Sequence, residues 1–274
     1  MKITKILNNN VIISKINHEE RIIMGKGIAF GKCNGDLIEK DKIEKVFRLT
    51  SIEQERMLQL LQEINQDVLI TTQEIITAAN QLYETPVAES VYIALTDHID
   101  YAIKRTTEGH LIKNPLLYEI QKLYPNEFKI GVTALDIIKE KFSVQLPKDE
   151  AGFIAMHIVN ASLDEEIGTI YEITKITKNI IDIVRYHFNL HINEDELNYS
   201  RFMTHLKFFS QRLLHNEALN EVTDESLLTS LRQKHPTSDQ CVDKISDFLL
   251  KNYKHSLSID ERVYLILHIA RLVK

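Results

Sequence analysis

The 274-residue sequence predicts a multidomain chain, with a small N-terminal antiparallel all-β unit followed by two homologous all-α helical-bundle domains. Three observations predict it. Up to about residue 50, apolar and polar residues alternate and β-branched side chains abound. Beyond that point the apolar residues recur at helical spacing. The helical part also repeats itself: residues 146–158 read LPKDEAGFIAMHI and residues 257–269 read LSIDERVYLILHI.

In the first region KITKIL, NVIISKI, ERIIMG and KIEKVFRL run between turn signals such as Asn8-Asn9-Asn10 and Gly35-Asp36. About four strands fit this pattern. A unit of ~50 residues is near the lower limit for an independent core, so dimerisation that buries a sheet face or edge is expected to help it. Ser51-x-x-Gln54 then has the form of a capping box, and IEQERMLQLLQEI follows with helical spacing. The stretch has no Gly, Pro or Ser run that would make it a flexible tether. Thr71-x-x-Glu74 reads as the opening of the next helix. Further periodic segments lie near 87–105, 115–124, 132–143 and 149–162, then near 170–190, 194–214, 224–234, 239–252 and 259–273. Pro86, Pro115, Pro125, Pro147 and Pro236 sit at the breaks. The expected organisation is a β-unit over 1–55, a helical linker over 56–65, and helical domains over 66–169 and 170–274, joined near 165–168.

Each copy of the repeat carries two histidines. Asp149 precedes His157 by the same interval as Asp260 precedes His268. His98 in TDHID comes 59 residues before His157, and His205 in MTHLKFF comes 63 before His268. Pro125 and Pro236 share the offset of 111 that relates His157 to His268. A duplicated helical module with paired histidines is the pattern to explain.

Composition narrows the choices. A hydrophobic content of 44% and a charged content of 26% are ordinary for a soluble globular protein. The net charge of −6 hides an asymmetry: residues 1–50 hold ten Lys/Arg against six Asp/Glu, a balance of +4 that leaves −10 on the rest. A basic head on an acidic body suggests an anionic partner for the head. Cys33 and Cys241 are too few and too far apart for a disulfide framework or a zinc ribbon, and both are expected to serve as small packing residues. No apolar run approaches the ~20 residues that span a bilayer. The N-terminus lacks a signal peptide's apolar core, so a cytoplasmic protein without membrane insertion is expected.

The residues favour some chemistries over others. GKGIAFGK at 25–32 lacks the Gly-Lys-Ser/Thr of a phosphate loop, so it reads as a tight turn. It reads equally as a backbone built to approach an anionic polymer, with Lys26 and Lys32 for phosphates and Phe30 for stacking on RNA. His18, His110, His187, His191, His215, His235 and His255 have no counterpart in the other copy and read as surface or packing residues. For the duplicated four, metal binding lacks convergent ligands and a HExxH or Cys-x-x-Cys motif. Acid–base catalysis lacks a nucleophile and an oxyanion loop. Neither a cofactor, a metal nor an enzymatic activity is expected. Phosphoryl acceptance by neutral imidazole remains, with Asp97 and the pairs Asp149/Glu150 and Asp260/Glu261 available to orient the rings.

The chain resembles the BglG/SacY/LicT family of transcriptional antiterminators along its whole length, and within it the LicT-like β-glucoside branch. MKITKILNNNVI, MGKGIAFGK and IEKVF resemble the family's co-antiterminator (CAT) RNA-binding and dimerisation domain. ALTDHIDYAIKR, DEAGFIAMHIVNA, RFMTHLKFFSQRL and YLILHIARLVK resemble its two phosphotransferase-system (PTS) regulation domains. Thr204 stands where the first copy has Asp97, so an Asp–His pairing is unsupported there. The resemblance implies a homodimer that binds an RNA antiterminator hairpin through Lys5, Asn10, Gly25, Lys26 and Phe30, with Asn8, Asn9, Arg21, Gly27 and Lys32 nearby. It implies phosphorylation at His98 and His157 by a sugar-specific PTS enzyme II of β-glucoside type, which inhibits, and at His205 and His268 by the phosphocarrier HPr, which activates. The competing reading is a DNA-binding activator with the same regulation domains, which would need a helix-turn-helix head where residues 1–50 alternate as strands.

Overall fold

The structure is a computed structural model. It describes residues 1–16, 19–47, 55–60, 64–81, 83, 86–163, 167–189, 196–216 and 224–273. The chain divides into two compact units: Met1–Asn114 with Asn126–Glu165, and Pro115–Pro125 with Glu166–Lys274.

The first unit begins with four antiparallel strands in sequence order, β1 (Ile3–Asn8), β2 (Val11–Ile16), β3 (Glu19–Met24) and β4 (Lys45–Phe47). Val11↔Met24 through Ile16↔Glu19 pair without a slip, because β2 has apolar residues on both faces and any one-residue shift would break both. One face holds Ile12, Ile23, Ile28 and Ile38 against the glycine-containing loops. The other presents Val11, Ile22, Met24 and Phe47 to the helices that follow. The chain's own helices cover this second face.

The helices of this unit are α1 (Gln66–Asn80), α2 (Ser90–Thr107), α4 (Pro125–Phe142) and α5 (Lys148–Leu163). Tyr92 of α2 fixes the sheet to them. Its ring meets Phe47 edge-on at 4.9 Å. Its hydroxyl donates to the Leu69 carbonyl at 2.8 Å and touches Met24 Sδ at 3.0 Å. Burial, chiefly, pushes this phenol's pKa up and keeps it protonated. Residues 55–60 are helical, as expected of the linker, whereas Ile64 and Asn65 are not. The Ser51–Gln54 signature and residues 61–63 lie outside the described residues.

Three helix starts differ from expectation. α1 begins at Gln66, where the Asn65 side chain accepts from the Asp67 amide at 3.0 Å. Thr71 is therefore inside the helix, its hydroxyl donating back to the Asp67 carbonyl. Pro125 and Pro236 are first residues of helices rather than gaps between them, because a first-turn N–H needs no partner and proline's φ suits that position.

The second unit contains α6 (Ile167–Phe188), α7 (Leu197–His215), α8 (Glu225–Lys234), α9 (Pro236–Tyr253) and α10 (Ile259–Leu272). Its core includes Ile176, Ile180, Phe202, Leu206, Phe209, Ile245, Leu249 and Ile266. The short helix α3 (Leu117–Leu123) lies within the stretch 66–169 that the pattern gave to the first helical domain, yet it packs on α6 and α7. Leu123 joins this core, and Lys207 Nζ lies 4.3 Å from the centre of the Tyr124 ring. Cys241 is buried here, which pushes its thiol up to about 12, while Cys33 is exposed and does not pack as expected. The expected join near 165–168 falls partly outside the described residues.

Candidate functional site

In the β-unit, Asn10 organises the loop that follows β3. Its carbonyl accepts from the Gly25 amide at 2.9 Å, and its side-chain oxygen accepts from the Gly27 amide at 2.6 Å. Successive turns follow, with Ile28 N–H donating to Gly25, Phe30 to Gly27 and Lys32 to Ala29. Ile28 and Ala29 are buried, and this anchors the loop and turns Lys26 and Phe30 outward. Phe30 is 75% exposed, a large apolar ring with nothing covering it. Gly25 has a packing reason of its own, because a Cβ there would lie 1.7 Å from the Lys42 carbonyl oxygen. Lys5 is exposed on β1 opposite Ile13, apart from the hydrogen bonds of the loop. Lys32 is bound to Glu39 at 2.6 Å, and Arg21 pairs with Glu19.

The duplicated histidines come together in pairs. The rings of His98 on α2 and His157 on α5 are 5.0 Å apart. Those of His205 on α7 and His268 on α10 are 4.2 Å apart. All four are half-buried, so the second pair does not lie on a fully exposed face. Burial and the neighbouring His98 push His157 down to about 3. Burial, His205 and Arg271 push His268 down to about 4. Both rings are therefore neutral near pH 7, the form that carries a nucleophilic lone pair.

The acidic pairs differ in their work. Asp149 accepts from the Asn114 amide at 2.7 Å. Glu150 is fully buried between Arg105, which donates to Oε1, and His98, whose Nε2 lies 3.1 Å from Oε2 without hydrogen-bond alignment. The corresponding Glu261 instead closes a capping box with Ser258 and meets His255 Nε2 at 3.0 Å. His255, half-buried over Phe209, is thus part of the second site's packing. Tyr264 lies edge-on to His205 at 5.2 Å, and its phenol is pushed up to about 12 by burial. Arg105 and Arg212 escaped the sequence reading, although each follows its histidine by the same seven residues, two helical turns on the same face. His157 also lines a pocket of about 510 Å³ with Asp97, Asn160 and Arg56. Among the described residues no cluster suits a metal ion, and no helix is long and apolar enough to cross a membrane.

The profile of the CAT RNA binding domain matches residues 1–56, and that of the PRD domain matches residues 73–161 and 178–272. The transcription antiterminator LicT of Bacillus subtilis is 45% identical over the whole of this chain and 99% of its own length. The chain belongs to the BglG/LicT family of transcriptional antiterminators. The beta-glucoside operon antiterminator of Dickeya chrysanthemi is 42% identical over 99% of this chain and 96% of its own length. The crystal structure of GlcT CAT-PRDI is 39% identical, with a TM-score of 0.55 over 58% of this chain and 96% of that one. In BglG/LicT terms, the sheet with its glycine loop is the CAT domain, and each histidine pair lies within one PRD match.

The depressed histidines carry a pH signature. Their unfolded value is about 6.5, so the unfolded chain binds more protons below it and the stability these rings contribute falls on acidification. It is complete above pH 6.5 and is lost as pH falls toward about 4 for His268 and about 3 for His157. Urea titrations at pH 7 and pH 4.5 are expected to show a smaller acid-induced loss for His268→Gln than for the parent chain. An equal loss would mean that ring burial does not govern this titration.

Proposed function

We propose that the chain works as a homodimer that binds an RNA antiterminator hairpin in a nascent leader transcript and so excludes an overlapping terminator. PTS phosphorylation governs it. A sugar-specific enzyme II inhibits through His98 and His157, and HPr activates through His205 and His268. The observation that carries this reading is the meeting of two ring pairs, at 5.0 and 4.2 Å, one in each helical domain. A neutral imidazole in each pair, His157 and His268, suits acceptance of phosphate, and each phosphate adds about two negative charges at neutral pH. The beta-glucoside name of one relative supports a β-glucoside permease as the inhibiting partner.

For the RNA contact, the exposed Phe30 ring offers a stacking surface and Lys26 a charge for phosphate. Phe30→Ala is expected to weaken binding of the leader hairpin by about 1–3 kcal/mol. Lys26→Ala is expected to weaken it and to reduce its salt dependence by about one counterion. Gel-shift titrations at two salt concentrations read both effects. Equal affinity of the parent chain for an unrelated duplex would exclude this loop as the specific site.

A further inference from the structure

We propose that the first helical domain takes phosphate on opposite imidazole nitrogens, Nδ1 of His98 and Nε2 of His157, and that Glu150 is the positioning residue that imposes the first. The inference rests on the reading of both histidines as phosphoacceptors and adds which atom of each accepts.

His98 has one closed edge. Its Nε2 is buried and lies 3.1 Å from Oε2 of Glu150, whose own side chain is completely inaccessible. A phosphoryl group on that nitrogen would have to occupy the place of the carboxylate oxygen and would set one anion on another. Arg105, itself buried, holds Glu150 from the other side through Oε1, so the carboxylate has no room to withdraw. A carboxylate beside one imidazole nitrogen draws the ring proton to it and leaves the lone pair on the other. With the ring proton on Nε2, drawn there by the charge of Glu150 at 3.1 Å rather than by an aligned hydrogen bond, the lone pair of His98 lies on Nδ1. The side chain keeps 15% exposure although its Nε2 is buried, so its open edge lies away from Glu150.

His157 is closed on the other side. Its Nδ1 is buried and has no hydrogen-bond partner, while the ring reaches the pocket formed with Asp97, Asn160 and Arg56. Only Nε2 is left to meet a donor.

The transfer balances for a donor phosphohistidine protonated on its far nitrogen. The donor's P–N bond breaks and its ring leaves as neutral imidazole. The Nδ1 lone pair of His98 forms the new P–N bond, and His98 keeps its proton on Nε2 as a phosphoimidazolium facing Glu150. The second domain lacks this constraint, because Glu261 faces His255 instead of His205.

The test uses the full chain in two forms, His157→Ala/His205→Ala/His268→Ala and His98→Ala/His205→Ala/His268→Ala. Each is phosphorylated separately by phosphorylated HPr and by the phosphorylated permease domain. The isomers are then assigned by phosphorus–nitrogen NMR and by antibodies selective for 1- or 3-phosphohistidine. The first form is expected to give 1-phosphohistidine and the second 3-phosphohistidine. The reverse isomer in either form would overturn the inference while leaving the phosphoacceptor reading intact. No phosphate on either histidine from either donor would overturn both. In the otherwise unaltered chain, Glu150→Gln presents an amide donor to Nε2 and removes the reason for the tautomer. The ratio of phosphate on His98 to that on His157 is expected to fall at least tenfold, and general loss of folding would lower both together. An unchanged ratio in the folded variant would overturn the role of Glu150.

Discussion

Gly25→Ala is expected to destabilise the first unit by about 3 kcal/mol, at the upper end of what overpacking costs. The added Cβ would lie 1.7 Å from the Lys42 carbonyl oxygen and 2.9 Å from its carbon, so backbone rather than a flexible side chain would have to move. The displaced strand end carries the amide that donates to Asn10, and the loop after β3 would shift with it. Gly27→Ala is the control. Its φ of +64° costs an L-residue ~1 kcal/mol, but its Cβ would meet only Phe30 Cβ, at 3.9 Å. Thermal denaturation should therefore show a melting-point fall for Gly25→Ala about three times that for Gly27→Ala. Similar falls would mean that β4 and the Lys40–Lys42 turn yield easily.

His98→Ala should release a reporter operon from its need for inducing sugar, and His98→Asp should hold it off whatever the sugar. Alanine removes the acceptor on which an inhibiting permease would act. Aspartate sets a fixed negative charge beside buried Glu150, which already shares Arg105. Two carboxylates sharing one cation in a dry site cannot both ionise without strain on the α2–α5 contact. The expected spread between the two variants is the full range of the reporter. If His98→Ala still required inducer, the inhibitory acceptor would be His157.

The sheet and the helical repeat were legible because their signals are local. Alternation in NVIISKI and the shared interval from Asp149 to His157 and from Asp260 to His268 depend on residues near in sequence. The start of α1 was misplaced because Ser/Thr-x-x-Glu occurs inside helices as well as at their ends, and only backbone geometry selects Asn65 over Thr71. The contact between His98 and Glu150 was beyond reach. It joins side chains on two helices 52 positions apart, and which carboxylate of the Asp149/Glu150 pair turns inward depends on how α2 crosses α5. The same applies to α3, whose proline-bounded segment says that it is a separate helix but not which bundle it joins. Arg105 and Arg212 went unread although their common distance from the duplicated histidines is plain in the sequence.

Tyr92 and His98 stand on the same helix, six residues and roughly 9 Å of rise apart. One end of that stretch is wedged into the strands through Met24 and Phe47, and the other carries the ring beside Glu150. A close-packed core transmits displacement rather than absorbing it. α2 therefore behaves as a short rigid rod with its load at one end and its lever at the other. A chemical change at His98 therefore acts on the helix that also holds Met24 and Phe47, within the same compact unit as the loop after β3.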